Sequence, residues 1–297
     1  MKITRGERAF NIFNIIFLIL LCSIMLYPYL NQLAVSLNEG MDTAFGGITI
    51  YPRKFTLENF RVIVSNKDIV RALFVTVFNV VAGTLLTLLV TTGAAYAISR
   101  KSLPFRNFFI WYLLIPSYIS AGIIPTFILF RYLGMLNNIL VYVLPGAFVF
   151  YNFIIIRTYI GGLPPALDEA ALIDGANEVQ VLFRIVVPLS MPVLATISLW
   201  TMVGAWNGWT ATLYYVNNKQ LYTLQYVILQ IIKQSEVLQN MKTEAQMTGS
   251  TIAASARPTS ESVKSAAIIF STIPIVMVYP FLQKYFVKGV TLGAVKD

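Results

Sequence analysis

The sequence predicts an all-α integral membrane protein with about six spanning helices, and three observations carry that prediction. Hydrophobic residues fill 57% of the 297 positions and charged residues only 12%, with a mean hydropathy of +0.70. A soluble domain of this length could not expose that balance to water without aggregating. Apolar runs of spanning length recur along the chain between polar connections. The positive residues of the short flanks, Lys2, Arg5 and Arg8, then Arg100, Lys101 and Arg106, then Lys284, Lys288 and Lys296, all fall on one side, which the positive-inside rule makes the cytoplasm. Anionic lipid facing those flanks accounts for the net charge of +9 better than nucleic acid does.

The first run is Phe10 to Leu30, preceded by the basic flank. It is too long for the apolar part of a signal peptide, and Pro28-Tyr29-Leu30-Asn31 offers no small-residue cleavage site, so an uncleaved first span with its N-terminus inside is expected. The single cysteine, Cys22, lies in this run; it excludes an intramolecular disulfide and suggests no metal cluster. Residues 31–68 are too polar to span, and Tyr51 to Phe60 reads as an ordered external segment. The second run, Ile69 to Ser99, exceeds the usual span and should tilt or begin outside the membrane. Its Gly83, Thr84, Thr87, Thr91, Thr92, Gly93, Ala94 and Ala95 form a small, hydroxyl-bearing side suited to close helix packing.

The third run, Phe108 to Tyr132, carries Pro116, Gly122 and Pro125, so a kinked helix is expected. A turn around Gly134 to Asn138 leads into the fourth, Ile139 to Ile160, with Pro145-Gly146 inside it. The fifth continues from Pro188 to Tyr215 and is interrupted from Gly204 to Trp209. A polar stretch, Val216 to Lys264, contains an amphipathic Leu221 to Gln239. The sixth run is Ala266 to Phe286, where the last helix should end, and a basic tail, Lys284 to Lys296, follows.

Between the fourth and fifth runs lies a polar, turn-rich interruption, Pro164 to Pro192, too amphipathic to be membrane. Two prolines lock its approach, Asp168 and Glu169 favour the positive end of a helix dipole, and Gly175 permits the left-handed turn that stops the helix. Ala170, Ala171 and Ala176 give a small-residue surface for close approach of another protein, and Leu172 and Ile173 supply apolar anchors.

Glu169-Ala170-Ala171, three residues, Gly175, nine residues, then Ile185-x-Val187-Pro188 resembles the coupling loop of permease subunits in bacterial ABC importers; Val187 stands where that family usually has Leu. The tail from Gln283 to Lys296, with its Gly289-Val-x-x-Gly293-Ala-Val-Lys run, and Ala205-Trp206-Asn207 look like MalG-like permeases of the carbohydrate-uptake branch. The resemblance implies a single transmembrane permease domain over 1–297, core about 69–286, with a cytoplasmic coupling loop at 161–188 and the type I ABC importer permease fold, both termini cytoplasmic. It implies a second homologous permease, two ATPase subunits and an extracytoplasmic solute-binding lipoprotein, in a bacterial cytoplasmic membrane. By the same resemblance Glu169, Ala170, Ala171, Asp174 and Gly175 couple to the ATPase, and Gly289, Gly293 and Lys296 contact it.

No Gly-x-x-x-x-Gly-Lys-Ser/Thr phosphate loop is present, so ATP and magnesium belong to the partner ATPase and the chain is not itself expected to be an enzyme. With no histidine and no paired intramembrane carboxylates, no catalytic constellation is visible. A secondary transporter would be expected to carry intramembrane acidic residues for ion coupling, which the spans lack. A permease for another solute would keep the same loop; the tail and the aromatic content favour a sugar, and the long segment Val216 to Lys264 an oligosaccharide.

A sugar path needs aromatic platforms with amide and hydroxyl partners. Its candidates are Asn79, Tyr118, Tyr151, Asn152, Trp200, Trp206, Asn207 and Trp209. Interfacial aromatic belts and polar contacts between helices are the alternative uses of such residues. The Asn207 amide needs a neighbouring helix, water or a sugar hydroxyl as partner.

Overall fold

The computed structural model describes residues 5–100, 102–247 and 259–294. Among them the architecture is helical, with one isolated antiparallel bridge, Asn38 to Phe55. In chain order the helices are α1 (Arg5–Ser36), α2 (Gly40–Thr43), α3 (Glu58–Ser65), α4 (Lys67–Ser99), α5 (Arg106–Ser117), α6 (Ile123–Tyr132), α7 (Leu140–Val143) and α8 (Phe150–Gly161). There follow α9 (Pro165–Ile173), α10 (Glu178–Val181), a π turn over Leu182–Val186, α11 (Val187–Leu189), α12 (Met191–Asn207), α13 (Thr210–Tyr215), α14 (Leu224–Met247) and α15 (Ser260–Ala294). Three helices among the described residues, Gly6–Ser36, Lys67–Ser99 and Ser260–Pro280, are long and apolar enough to cross a membrane, or four if Glu178–Leu189 and Met191–Asn207, bent by 81°, make one span. The chain is a multi-pass membrane protein.

Three expectations are corrected. The third run is broken rather than kinked: α5 ends at Ser117, and α6 starts after Gly122, whose φ of +81° no helix accommodates. The fourth run is likewise two pieces, because Pro145 removes a backbone donor after α7. The sixth does not end near Phe286; α15 runs through Gly289 and Gly293 to Ala294. Glycine lowers helix propensity by only about 0.5–1 kcal/mol and stops a helix mainly where the chain takes the left-handed turn.

The chain forms two compact units. In the unit of residues 1–70 and 228–273, the stretch after α1 is an ordered knot, in keeping with the sequence. Glu39 N–H donates to the Lys54 carbonyl at 2.9 Å and Thr56 N–H to Leu37 at 2.8 Å. The fully buried Asn59 amide donates to the carbonyls of Ser36 and Asn38, both at 2.9 Å. Arg53 closes the turn by donating to the Asp42 carboxylate at 2.9 Å and to the Gly46 carbonyl at 2.7 Å. The Asp42 carboxyl is held below its ordinary value by the Asn38 amide and then by Arg53.

The unit of residues 71–227 and 274–297 holds the main apolar core. Ala95, Tyr96 and Ile98 of α4, Phe153, Ile156 and Ile160 of α8, and Val193, Leu194 and Ile197 of α12 pack together there. The small side of α4 is turned inward, with Thr84, Thr87, Thr91, Thr92 and Ala95 all buried. Its bulky side, Phe74, Phe78, Leu85 and Leu89, is exposed, as a lipid- or partner-facing surface should be.

Candidate functional site

The loop between α8 and α12 takes its shape from local rules. Gly175 has φ +83°, and the Ala176 N–H donates to the Ala171 carbonyl at 3.0 Å. That is the six-residue closure of a helix ending on a left-handed glycine, and its small apolar contact, Ala171 against Ala176, belongs to the core cluster. One residue later Asn177 starts α10 with a reciprocal capping box: its side chain accepts from Gln180 N–H and the Gln180 side chain accepts from Asn177 N–H, each at 2.9 Å. The Asn-x-x-Gln spacing was available to sequence reasoning, which had not used it.

These turns sort the residues of the motif. Ala171 is 9% exposed and packs into the core, whereas Ala170, Asp174 and Gly175 face out and Ile173 is 86% exposed. The structure therefore divides the expected alanine surface, with one alanine supporting the loop from beneath. Leu167, Val179 and Phe183 add exposed apolar area around it. Glu169 lies in α9.

A guanidinium fastens the loop from above. Arg100, just past the end of α4, donates through Nη1 to the Asp168 carboxylate at 2.6 Å and through Nη2 to the Glu178 carboxylate at 2.9 Å. Nη2 also donates to the Tyr96 hydroxyl, which in turn donates to Glu178 at 2.5 Å. The guanidinium carbon sits 4.5 Å from the Tyr96 ring centre. Burial works against the charge of Arg100, but the Tyr96 hydroxyl and the two carboxylates outweigh it and hold its pKa above the ordinary value. Sequence reasoning had used Arg100 only as a positive flank.

A cavity of about 400 Å³ opens farther along the same unit. Asn79, Gly83 and Thr87 of α4, Tyr142 of α7, Asn152 of α8, and Trp200 and Thr201 of α12 are among its walls, and none of its lining residues is a carboxylate, amine or guanidinium. Gly83 lies one turn from the amide, and a Cβ there would stand in ordinary contact, 3.5 Å from the Asn79 side-chain oxygen. The Thr87 hydroxyl lies 2.8 Å from both the Gly83 and Gly146 carbonyls and fixes the break in the fourth run against α4. At the rim, Tyr142 donates to the Leu221 carbonyl at 2.7 Å and pairs with the Thr212 hydroxyl at 2.9 Å.

Of the expected path residues, the cavity brings together Asn79, Asn152 and Trp200. Tyr151 stacks on Trp200 with centroids 6.2 Å apart and is itself 64% exposed. Tyr118 stands 82% exposed at the break between α5 and α6, Trp206 is buried, and Trp209 is 38% exposed at the break after α12. Asn207 ends α12; its amide donates to the Val203 carbonyl at 3.0 Å and accepts from Gln225 at 3.3 Å. Gly289 and Gly293 lie in α15, and Lys296 lies outside the described residues. Thr87, Tyr142 and Thr201 were missed, because a hydroxyl on an apolar helix carries no mark that distinguishes a cavity wall from a packing contact.

Several apolar helices, an internal neutral cavity and a clamped polar loop define a membrane permease. Residues 83–292 match the family described as "Binding-protein-dependent transport system inner membrane component", and the chain belongs to it. It is 34% identical to "Protein LplC" of Bacillus subtilis over 100% of this chain and 98% of that protein. It is 32% identical to the "Polygalacturonan/rhamnogalacturonan transport system permease protein YtcP" of the same organism, over 98% of this chain and 99% of that one. Among solved structures it is similar, with a TM-score of 0.84 and 28% identity over 96% of this chain and 99% of the other, to a chain of a bacterial ABC transporter involved in the import of the acidic polysaccharide alginate. The fold is that of a type I ABC permease.

Proposed function

We propose that this chain is one of two paired permeases of an ATP-driven importer that carries an oligosaccharide across a bacterial cytoplasmic membrane. The observation that carries the sugar reading is the neutral cavity: amides at Asn79 and Asn152, hydroxyls at Thr87, Tyr142 and Thr201 and the indole of Trp200 are what a polyhydroxylated ring with apolar faces needs. The named relatives that handle polysaccharides support the same class. The reading has six crossings, α1, α4, the broken pairs α5 with α6 and α7 with α8, then α12 with α13, and α15, and the positive-inside rule supports both termini in the cytoplasm. Glu169, Ala170, Asp174 and Gly175 meet a groove of one of two ATPase subunits, with Ala171 supporting them from within. Gly289, Gly293 and Lys296 touch the same subunit, and ATP and magnesium stay there. A solute-binding lipoprotein delivers the sugar from outside. ATP binding drives import by favouring one of the two access states over the other.

The test is reconstitution in proteoliposomes with the second permease, the ATPase subunits and the binding protein, supplied with ATP and a panel of mono- and oligosaccharides. ATP-dependent accumulation of an oligosaccharide is expected. Uptake by this chain alone would refute the reading in favour of a secondary carrier, and exclusive transport of a monosaccharide or a non-sugar solute would refute the substrate class.

A further inference from the structure

The loop is joined to the cavity by two physical routes. One is covalent. From α10 the chain passes through the π turn and α11 to Ser190, bends by 81°, and continues as α12, which carries Trp200 and Thr201. The other runs through Arg100. Its planar fork takes Asp168 with one arm and Glu178 with the other, so a single cation holds carboxylates from both sides of the Gly175 turn. The Arg100 backbone is itself folded back on α4 by its N–H donating to Ala97 at 3.3 Å. From there α4 is one uninterrupted helix to Thr87, Gly83 and Asn79 on the opposite cavity wall, a rise of about 30 Å from Arg100 to Asn79.

The apolar core already packs the end of α4 against the loop and α12, and the Arg100 clamp adds to it a directed, charged tie that reaches both sides of the Gly175 turn. We propose that Arg100 is a positioning residue for coupling: by clamping Asp168 and Glu178 to the end of α4, it makes the loop and α4 one rigid piece, so that both cavity walls follow the ATPase together. This rests on the loop being the ATPase dock. The pair geometry suits that role better than an ordinary surface ion pair. The Arg100 side chain is 19% exposed and Asp168 27%, although Glu178 is 56% exposed, and the fork is fixed by the Tyr96 ring and hydroxyl beside it.

A distance measurement tests this without knowledge of the transported sugar. In a Cys22→Ser background, spin labels are placed on the exposed Ala166 of α9 and the exposed Leu85 of α4, and the complete complex is studied before and after addition of ATP with magnesium and vanadate. The label-to-label distance should stay constant with Arg100 present and should shift by more than about 2 Å, or broaden, on ATP addition in Arg100→Gln. The double variant Asp168→Asn/Glu178→Gln should behave like Arg100→Gln and serves if that variant does not fold; combining all three substitutions should add nothing further. A constant distance in every variant would overturn the clamp, and so would a distance that changes on ATP addition with Arg100 in place. Lowered melting temperature in Arg100→Gln with an ATP-independent distance would make Arg100 merely structural, which also overturns it. The docking assignment fails separately, if the Ala166 label alone is as mobile with the ATPase subunits bound as without them.

Discussion

Substitution at Gly175 isolates what the end of α9 contributes, because the position combines a left-handed φ of +83° with open space: a Cβ placed there meets nothing within 4 Å. An alanine therefore suffers no clash and feels only the backbone. Holding a non-glycine residue in the left-handed region costs about 1–2 kcal/mol, which shifts the population of the correctly turned loop by about 5- to 30-fold. Asparagine visits that region more readily and should cost less. Proline, fixed near −65°, cannot adopt the turn at all and also removes a backbone donor. ATP-driven oligosaccharide uptake in proteoliposomes should then rank Gly175 above Gly175→Asn, above Gly175→Ala, above Gly175→Pro, which should be nearly inactive. The melting temperature of the membrane part should hold for the asparagine and alanine variants, since Gly175 itself is exposed and a Cβ there meets nothing, while its neighbours Ala171 and Ala176 keep their places on the core. Equal uptake for asparagine and alanine would show that the turn's conformation does not matter. Full uptake by the proline variant would refute the coupling assignment.

Other perturbations separate the cavity, the tail and the knot after α1. Asn79→Ala removes a buried amide from the cavity wall; if a sugar hydroxyl pairs with it, the KM for uptake should rise by about 5- to 150-fold, the loss of about 1–3 kcal/mol, with the melting temperature held. Asn207→Ala should do the reverse, lowering melting temperature with little change in KM, because its amide is engaged by Val203 and Gln225. Deleting residues 289–297 shortens α15 by its last turns and should lower uptake and ATPase stimulation while insertion, read by protease protection, is normal. In the knot after α1, a depressed carboxylate stabilises above its unfolded value, near 3.8 for Asp42, and that stability is lost as pH falls through the lower folded value. Hydrogen exchange at the Glu39 and Thr56 amides should thus stay protected down to pH of about 4 and accelerate below it, and Asp42→Asn should abolish that acid transition.

What the sequence made legible follows periodicity and local turn chemistry. The apolar runs, the inward small side of α4 and the left-handed end of α9 at Gly175 are all set by nearest neighbours along the chain, so residue order suffices to read them. The breaks in the third and fourth runs were visible as Pro116, Gly122 and Pro145, but not their depth. Whether a proline kinks or severs a helix depends on the contacts around it, and in the fourth run one of these is the Thr87 hydroxyl, 59 residues away, on the Gly146 carbonyl next to Pro145. The extension of α15 was hidden for the converse reason: glycines at 289 and 293 look like stops, yet a glycine ends a helix only when the chain there turns left-handed.

The clamp marks the deeper limit. Arg100 and Asp168 were each read through the rule that acts on it locally, a basic flank for the first and an acidic first turn of a helix for the second, and Glu178 was given no role. Those rules predict the same residue types whether or not the three ever meet. Only the fold closes 68 residues between Arg100 and Asp168 and 78 between Arg100 and Glu178. The same closure gives Asp168 and Glu178 a place in a loop that the positive-inside reading makes cytoplasmic and basic: they answer a cation at the end of α4 rather than the lipid. If the loop is the ATPase dock proposed above, it needs partners on both of the helices it moves, and the Arg100 clamp supplies the one on α4.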